Sequence, residues 1–529
     1  MRHIVLSGLM ASGKSTLGPR IAAKLDLPFV DTDDAIVRAA GKSIPDLWKS
    51  EGEPGFRAIE ARVIGELLSA ESPSVLSFGG GAVTARALRA HALDRAWVVT
   101  LDADPASLVA RIADPSSRPH LAGQDILARL TNLREQRAEA YAESHERIAT
   151  DRMTVEEAVR AVVDVSRRDP ILVPLGKRSY TVDVVVDEPG RLTRAIARLA
   201  PTRIVAVTDA VVGLARGASL DAALAPLEIA SARVTLASGE VHKRLPSVEA
   251  IWDAAIAAGA DSASVMLAFG GGVIGDVTGF AASTLFRGIR FVQSPTTLLA
   301  MVDAAVGGKT GIDLPSGKNL VGAFHQPSAV VCDLAHLSTL SVRERTAGLA
   351  EIVKIGLLSD PWLIERLEQD AARVAGGDPE ALLPIVRRAV AAKARFVAAD
   401  EYDTGIRALL NLGHTVGHAL EAHGGFERFL HGEAVAIGTM VELTAAVHLG
   451  VTPPEVLARS GSLFSRLGLS TQVTRADLAS AWRHTATDKK RAGAALRWPV
   501  VMQMGEGRVH RLPLEALREA IFEGPLIAP

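Results

Sequence analysis

Ile4-Val-Leu-Ser-Gly8-Leu-Met-Ala-Ser-Gly13-Lys14-Ser15-Thr16 joins a short β-branched run, a glycine-rich loop and the first residues of a segment with helical spacing. Its loop matches GxxxxGK[ST] in the strand-to-helix setting that this motif requires. The glycines let backbone N–H groups turn inward around phosphate oxygens, at the positive end of the following helix. Gly8 and Gly13 are therefore expected to shape a nucleotide cradle, with Thr16 beside them. Lys14 is expected on the β- and γ-phosphates and Ser15 on Mg²⁺.

Working outward, short apolar runs alternate with amphipathic ones. Val75 to Phe78 and Trp97 to Leu101 read as strands, which predicts a parallel sheet flanked by helices. Polar Arg167-Arg168-Asp169-Pro170 marks a boundary. Tyr180 to Val186, Arg203 to Val207, Val234 to Leu236 and Val265 to Phe269 read as a second strand series. After about residue 340, Ala-rich amphipathic stretches at 343–358, 380–399 and 431–449 predict helices. The expected fold is α/β throughout: a parallel-sheet phosphate-loop unit at 1–168, an α/β dinucleotide-binding half at 169–340, and a mainly helical half at 341–529.

The chain has 529 residues, 48% of them hydrophobic and 22% charged, enough to bury cores in several domains. A net charge of −2 argues against a nucleic-acid partner. The single cysteine, Cys332, allows no intrachain disulfide and fits a reducing cytoplasm. No run of about 18 uncharged apolar residues predicts a membrane helix.

Other residues point to the acceptor of a phosphoryl group. Asp31-Thr-Asp33-Asp34 follows an apolar run, where carboxylates face a metal and an acceptor hydroxyl. Arg57 and Glu60 share a helical face. Gly79-Gly80-Gly81 admits a small ligand close to the backbone. Arg118-Pro119 lies in a lid-like loop, and Arg137 and Tyr141 stand four apart on a helix. Taken in order, these marks resemble shikimate kinase over residues 1–165. The resemblance implies that Asp33, Arg57, Gly80 and Arg137 hold shikimate, with Arg57 and Arg137 on its carboxylate. It implies that Asp33 orients the attacking hydroxyl, that Asp31 joins Ser15 at Mg²⁺, and that Arg118 closes over ATP. Ala11 departs from related loops, which often carry Gly there, and predicts a changed loop conformation at most.

In the second unit, Phe269-Gly270-Gly271-Gly272-Val-Ile-Gly-Asp276 follows a strand, as a pyrophosphate-binding turn would. Thr208-Asp209, Gly239-Glu240-Val-His-Lys243 and Thr296-Thr297 follow other strands. Glu351-Ile-Val-Lys354, His414-Thr-Val-Gly-His418 and His431-Gly-Glu433 offer the two imidazoles and one carboxylate of a catalytic Zn²⁺ set. Spacing alone does not choose His414 over His418, or Glu351 over Glu433. Arg287, Lys309, Lys318-Asn319, Lys354, Lys393, Arg407 and Lys489 concentrate positive charge near small or apolar residues.

Together the strings GGGVIGD, VDAAVGGKTG, SGKN, EIVK and NLGHTVGHALE resemble 3-dehydroquinate synthase over about 175–529. The resemblance implies Zn²⁺ or Co²⁺ on Glu351, His414 and His431. It implies NAD⁺ on Asp209, Glu240, Lys243, Gly270, Gly271, Gly272, Asp276, Thr296, Thr297, Lys309, Lys318 and Thr339. Asp303, Lys309, Asn319, Lys354, Lys393, Arg407, Asn411, His418 and Lys489 would hold the sugar phosphate, with Lys309, Lys354, Arg407, Asn411 and His418 catalytic among them. The choice of Lys489 over Lys490 stays open. Arg287 would reach a phosphate from the neighbouring subunit of a homodimer. The expectation is a bifunctional cytoplasmic enzyme acting on small molecules. A metal-dependent polyol dehydrogenase is the rival for the second unit, and a kinase-like module kept for binding is the rival for the first.

Overall fold

The computed structural model describes residues 2–112, 125–489 and 496–523, and the chain divides into two compact units, Met1–Thr181 and Val182–Pro529. The first holds five parallel strands: β1 (His3–Ser7), β2 (Phe29–Asp31), β3 (Val75–Ser77), β4 (Ala96–Asp102) and β5 (Glu146–Ala149), in the order β2-β3-β1-β4-β5. β1 is central, apolar on both faces and wholly buried. Ile4 and Leu6 pack with Leu17, Ile21 and Val162 on one face, while Val5 packs with Leu76, Val98 and Tyr141 on the other. This period-2 division is what a two-sided parallel sheet demands.

The chain leaves β1 at Gly8, whose φ of +136° suits glycine and whose Cβ would collide with the Leu101 carbonyl. Ala11 sits at φ +61°, in the left-handed region where a side chain is strained. The expectation for Ala11 thus takes a definite form: the loop holds an alanine in a glycine-type conformation.

After a short strand β6 (Ile171–Val173), the second unit contains β7 (Tyr180–Val185), β8 (Ile204–Asp209), β9 (Ser231–Leu236), β10 (Val265–Gly270), β11 (Arg290–Pro295) and β14 (Ala329–Asp333). These six are parallel in the order β7-β14-β11-β10-β8-β9. Along β10, Met266 and Ala268 pack beneath the helices Leu245–Ala257 and Gly272–Thr284, while Leu267 and Phe269 face the opposite layer with Leu192 and Leu220. An antiparallel hairpin, β12 (Lys309–Leu314) and β13 (Gly317–Phe324), projects from this half.

The remainder is helical apart from a second antiparallel hairpin, β15 (Leu496–Gln503) and β16 (Glu506–Leu512). Among the described residues one stretch, Ala210–Leu227, has the length and mean hydropathy (1.3) to cross a membrane, and 17% of it is buried. It carries two charged residues, Arg216 and Asp221, and so is not an uncharged apolar run. Arg216 donates to the Thr339 hydroxyl at 3.2 Å.

Two helices carry the middle of the helical half. Val342–Ser359 is buried from Thr346 through Leu358, and His431–His448 is buried over most of its length. They cross where Gly432 lies against the Ala347 carbonyl, so closely that a Cβ at 432 would collide with it. That contact brings Glu351 and His431 within reach of each other. Gly432→Ala is therefore expected to lower the stability of the second unit by about 3 kcal/mol through overpacking. Equilibrium urea unfolding measures this, and an unchanged midpoint would contradict the backbone-contact reading.

Candidate active sites

In the first unit Lys14 Nζ donates to the Gly8 and Leu9 carbonyls, each at 2.9 Å, so the lysine curls over its own loop. Gly13, at φ +104°, caps the helix Lys14–Leu25, and Ser15 and Thr16 lie exposed on its first turn. Asp31 caps the next helix by accepting from the Asp33 N–H at 3.0 Å.

The triple glycine meets the acceptor residues one by one. A Cβ at Gly79 would stand 2.8 Å from Asp33 Oδ1, and one at Gly81 2.5 Å from Arg57 Nη2. At Gly80 it would stand 3.4 Å from both Arg137 Nη1 and the Gly8 carbonyl of the phosphate loop. Arg137 and Tyr141 both donate to the Gly80 carbonyl, at 2.7 and 2.6 Å. Their helix is interrupted at Arg137, a departure from the single helix expected, yet the Tyr141 N–H still donates to the Arg137 carbonyl at 2.9 Å. The two side chains therefore stay on one side. Arg57 pairs with buried Glu60 at 2.6 Å. Burial, then the neighbouring Asp31 and Glu60 carboxylates, push the Asp33 carboxyl up to about 6, against the opposing charge of Lys14. Arg118 and Pro119 lie outside the described residues.

In the second unit Asp209 caps the helix Ala210–Leu224. Its Oδ1 accepts from Val211 N, Val212 N and Ser238 Oγ at 2.9, 3.0 and 2.7 Å, and its other oxygen takes none of these bonds. Gly271 and Gly272 open the helix Gly272–Thr284 at the end of β10, and the Thr296 N–H donates to the Gly270 carbonyl at 2.9 Å. Thr297 caps the following turn through Ala300 N, at 3.2 Å. The Thr296 hydroxyl is buried with no partner among the described residues, a group suited to a ligand oxygen. Buried Lys243 donates to Asp276 at 2.5 Å and to Asn319 at 2.6 Å. Burial pushes the Asp276 carboxyl up to about 6, with Lys243 opposing. Lys318 lies 3.5 Å from Glu240 and 3.2 Å from Glu421, and so links the hairpin to the helical half. Thr339 meets Arg216 instead of this group.

Glu351 is fully buried, and among the described residues neither of its carboxylate oxygens accepts a well-formed hydrogen bond. His414 Nε2 and His431 Nε2 stand 3.7 and 3.5 Å from Glu351 Oε1. That spacing matches ligand atoms around one tetrahedral ion with bonds of about 2.1 Å, which places them about 3.4 Å apart. The Nδ1 atoms are engaged elsewhere, His414 on the Leu412 carbonyl at 3.1 Å and His431 on Glu421 at 3.2 Å. For His414 the outer bond fixes the tautomer that leaves Nε2 as the ligand atom; for His431, against the effect of burial, the Glu351 and Glu421 carboxylates raise the ring to about 10, so a bound ion would displace its Nε2 proton. Burial, with the charge of Lys354, lowers the His414 pKa, keeping the ring neutral. Burial alone would raise the Glu351 carboxyl, but Lys354 beside it holds it at about 2.

The alternatives left open by spacing separate here. Glu433 pairs with Arg343 at 2.6 Å and accepts from the Leu430 N–H at 2.9 Å. His418 is exposed, its ring 5.1 Å from His414, and groups with Glu421 and His431 in a second, overlapping set. Glu421 was passed over in the sequence. Its place on the His414–His423 helix, a turn beyond His418, was the available signal.

Lys354 pairs with Glu351, and Lys393 with Asp303, which lies on the π-helical turn Ala300–Ala304. Burial brings Lys393 down to about 8, with Asp303 opposing and Arg407 adding to the fall. Arg407, buried, donates to the Gly307 and Glu401 carbonyls at 3.1 and 2.8 Å. Lys309 instead pairs with Asp403. Asn411 is exposed at the end of the turn Ile406–Asn411, and Arg287 is exposed on another turn. Lys489 ends the helix Arg475–Lys489, with its side chain outside the described set, and Lys490 is not among the described residues.

Residues 233–347 and 348–491 match the family models for the N- and C-terminal parts of 3-dehydroquinate synthase, and residues 10–167 match that for shikimate kinase. The 3-dehydroquinate synthase of Rhodospirillum rubrum is 46% identical over 336 residues, covering 62% of this chain and 86% of that one. The chain belongs to the 3-dehydroquinate synthase family. Ahead of the synthase region it carries a shikimate kinase, so one polypeptide joins a phosphotransferase to a phosphate-eliminating lyase. Among solved structures, 2-epi-5-epi-valiolone synthase from Streptomyces hygroscopicus, with NAD⁺ and Zn²⁺ bound, is 30% identical at a TM-score of 0.59, covering 65% of this chain and 96% of that one. A 2-deoxy-scyllo-inosose synthase complexed with carbaglucose-6-phosphate, NAD⁺ and Co²⁺ is 25% identical at a TM-score of 0.62, covering 67% and 100%.

The raised Asp33 pKa gives the kinase a pH signature. A carboxylate needed as acceptor is lost as pH falls through its pKa, so kcat/KM for phosphorylation is expected to fall tenfold per pH unit below about pH 6. A pH–rate profile with its acid limb near 4 would contradict the crowding of Asp31, Asp33 and Glu60.

Proposed function

We propose that the kinase unit transfers the γ-phosphoryl of ATP to the 3-hydroxyl of shikimate, and that the second unit converts 3-deoxy-D-arabino-heptulosonate 7-phosphate to 3-dehydroquinate and phosphate. In the kinase, Gly8, Gly13, Lys14 and Thr16 would cradle ATP, with Ser15 and Asp31 toward Mg²⁺. Asp33 would orient the hydroxyl and take its proton. Arg57 and Arg137 would hold the carboxylate on either side of the triple glycine, and Arg118 would cover the phosphates.

In the synthase, the observation that carries the reading is the Glu351–His414–His431 cluster with Lys354 and Lys393 beside it. The cluster fits Zn²⁺ or Co²⁺, and the Asp209-to-Thr297 series fits NAD⁺. When bound, the ion would polarise a substrate oxygen and the dinucleotide would withdraw a hydride, acidifying the neighbouring C–H so that phosphate can depart before the hydride is returned. Lys309, Lys354, Lys393 and Arg407 would hold the anionic substrate by charge-assisted bonds. Asp303 keeps Lys393 in place. Asn319, Asn411, His418 and Lys489 would complete the pocket. Lys393, with its lowered pKa, is suited to giving up or receiving a proton near neutral pH.

We place the enzyme in the cytoplasm and its synthase in a homodimer. Phe286 and Arg287 both adopt positive φ, +49° and +65°. Among the described residues nothing in the chain pairs with the Arg287 side chain, which suits an arginine offered to a partner's substrate.

Lys14→Ala is expected to lower shikimate phosphorylation at least a hundredfold while phosphate release by the synthase continues. Parallel assays of ADP and inorganic phosphate measure both, and joint loss in a folded protein would overturn independent sites. Treatment with a Zn²⁺-selective chelator in the presence of excess Mg²⁺ is expected to stop the synthase and spare the kinase, with recovery on added Zn²⁺ or Co²⁺. Mixing inactive Arg287→Ala and Lys354→Ala chains is expected to restore part of the synthase activity through mixed dimers; no recovery after exchange would oppose a shared site.

A further inference from the structure

The helix carrying His414 begins at Gly413, φ +77°, where a Cβ would collide with Thr439. The usual local solution, a Ser or Asp at the N-cap, is thereby excluded. The cap comes from elsewhere. Glu442, fully buried, accepts from Thr415 N and Val416 N through Oε1 at 3.1 and 3.2 Å. Its Oε2 accepts from Gly413 N at 3.1 Å and from Trp498 Nε1 at 3.2 Å. Three of these donors are amides of the N-cap Gly413 and of Thr415 and Val416 in the first turn of the His414 helix, at the positive end of its dipole.

Glu442 lies on the His431–His448 helix, 11 residues beyond His431, or about 16 Å along the axis. We propose that Glu442 is a positioning residue for the metal centre. It ties the helix that bears His414 to the helix that bears His431 and, through Trp498, to β15. One carboxylate thereby fixes the sliding of these helices and hence the separation of the two imidazoles. Gly438 serves the same contact, since a Cβ there would collide with the Gly413 carbonyl. The inference rests on the reading of Glu351, His414 and His431 as the metal ligands.

The test is Zn²⁺ affinity of the full chain by competition with a chromophoric chelator, together with the absorption spectrum of the Co²⁺ form. Glu442→Gln keeps the size of the side chain but turns a donor toward N–H donors. It is expected to weaken Zn²⁺ binding 10- to 100-fold and to shift the Co²⁺ bands. Synthase activity should return at raised metal concentration. Affinity within twofold of the parent with an unchanged spectrum overturns the proposal, as does lost activity that saturating metal does not restore. If Glu442→Gln fails to fold by circular dichroism, Trp498→Phe, which removes a single donor, decides: severalfold weaker binding supports the proposal and unchanged binding overturns it. Glu351→Ala separates the two readings. Retained tight binding there removes the ligand assignment, and this inference with it, whereas its loss alongside unaffected Glu442→Gln removes this inference alone.

Discussion

A carboxylate with no solvent exposure stands at the centre of the synthase. Removing Glu351 from water costs several kcal/mol unless cations compensate. Lys354, one turn on, supplies one positive charge. The two Nε2 atoms near Oε1 form with it a set suited to a second, divalent cation. Much of the surrounding packing follows from keeping this charge dry and matched. Helices approach through Gly432 and Gly438 because larger residues would hold their backbones apart. The imidazoles point inward because Leu412 and Glu421 engage their far sides.

The kinase uses a related device on a smaller scale. Three glycines bring Asp33, Arg137 and Arg57 against one strand end, with the phosphate loop next to the middle glycine. Three carboxylates then share a small space, and burial together with their repulsion raises the Asp33 pKa. In both units backbone closeness concentrates the charges, and low dielectric makes each charge count for more.

Much of this was legible in the sequence. The spacing of Gly8, Gly13, Lys14 and Ser15 predicts a strand, loop and helix, which the structure has. Apolar runs at 203–207 and 265–269 correspond to β8 and β10 with ends displaced by a residue or two. The helical half emerged from its periodicity. What sequence spacing left undecided was set by distant partners. Glu433 is turned away by Arg343, 90 residues earlier, and Lys318 meets Glu421 across 103 residues. Glu442 reads as one more helical glutamate until its contact with Gly413 is seen. Such pairings depend on how helices cross, which local propensity does not encode. At Arg137, where the helix is broken, two side chains converge on the Gly80 carbonyl, another pairing across distant sequence.

The central claim is that Glu351, His414 and His431 hold one divalent ion. Anomalous diffraction from crystals of the Co²⁺-loaded chain tests it directly. A strong peak is expected about 2.1 Å from Glu351 Oε1, His414 Nε2 and His431 Nε2. A peak centred on His418 and Glu421, or none near Glu351, would contradict it.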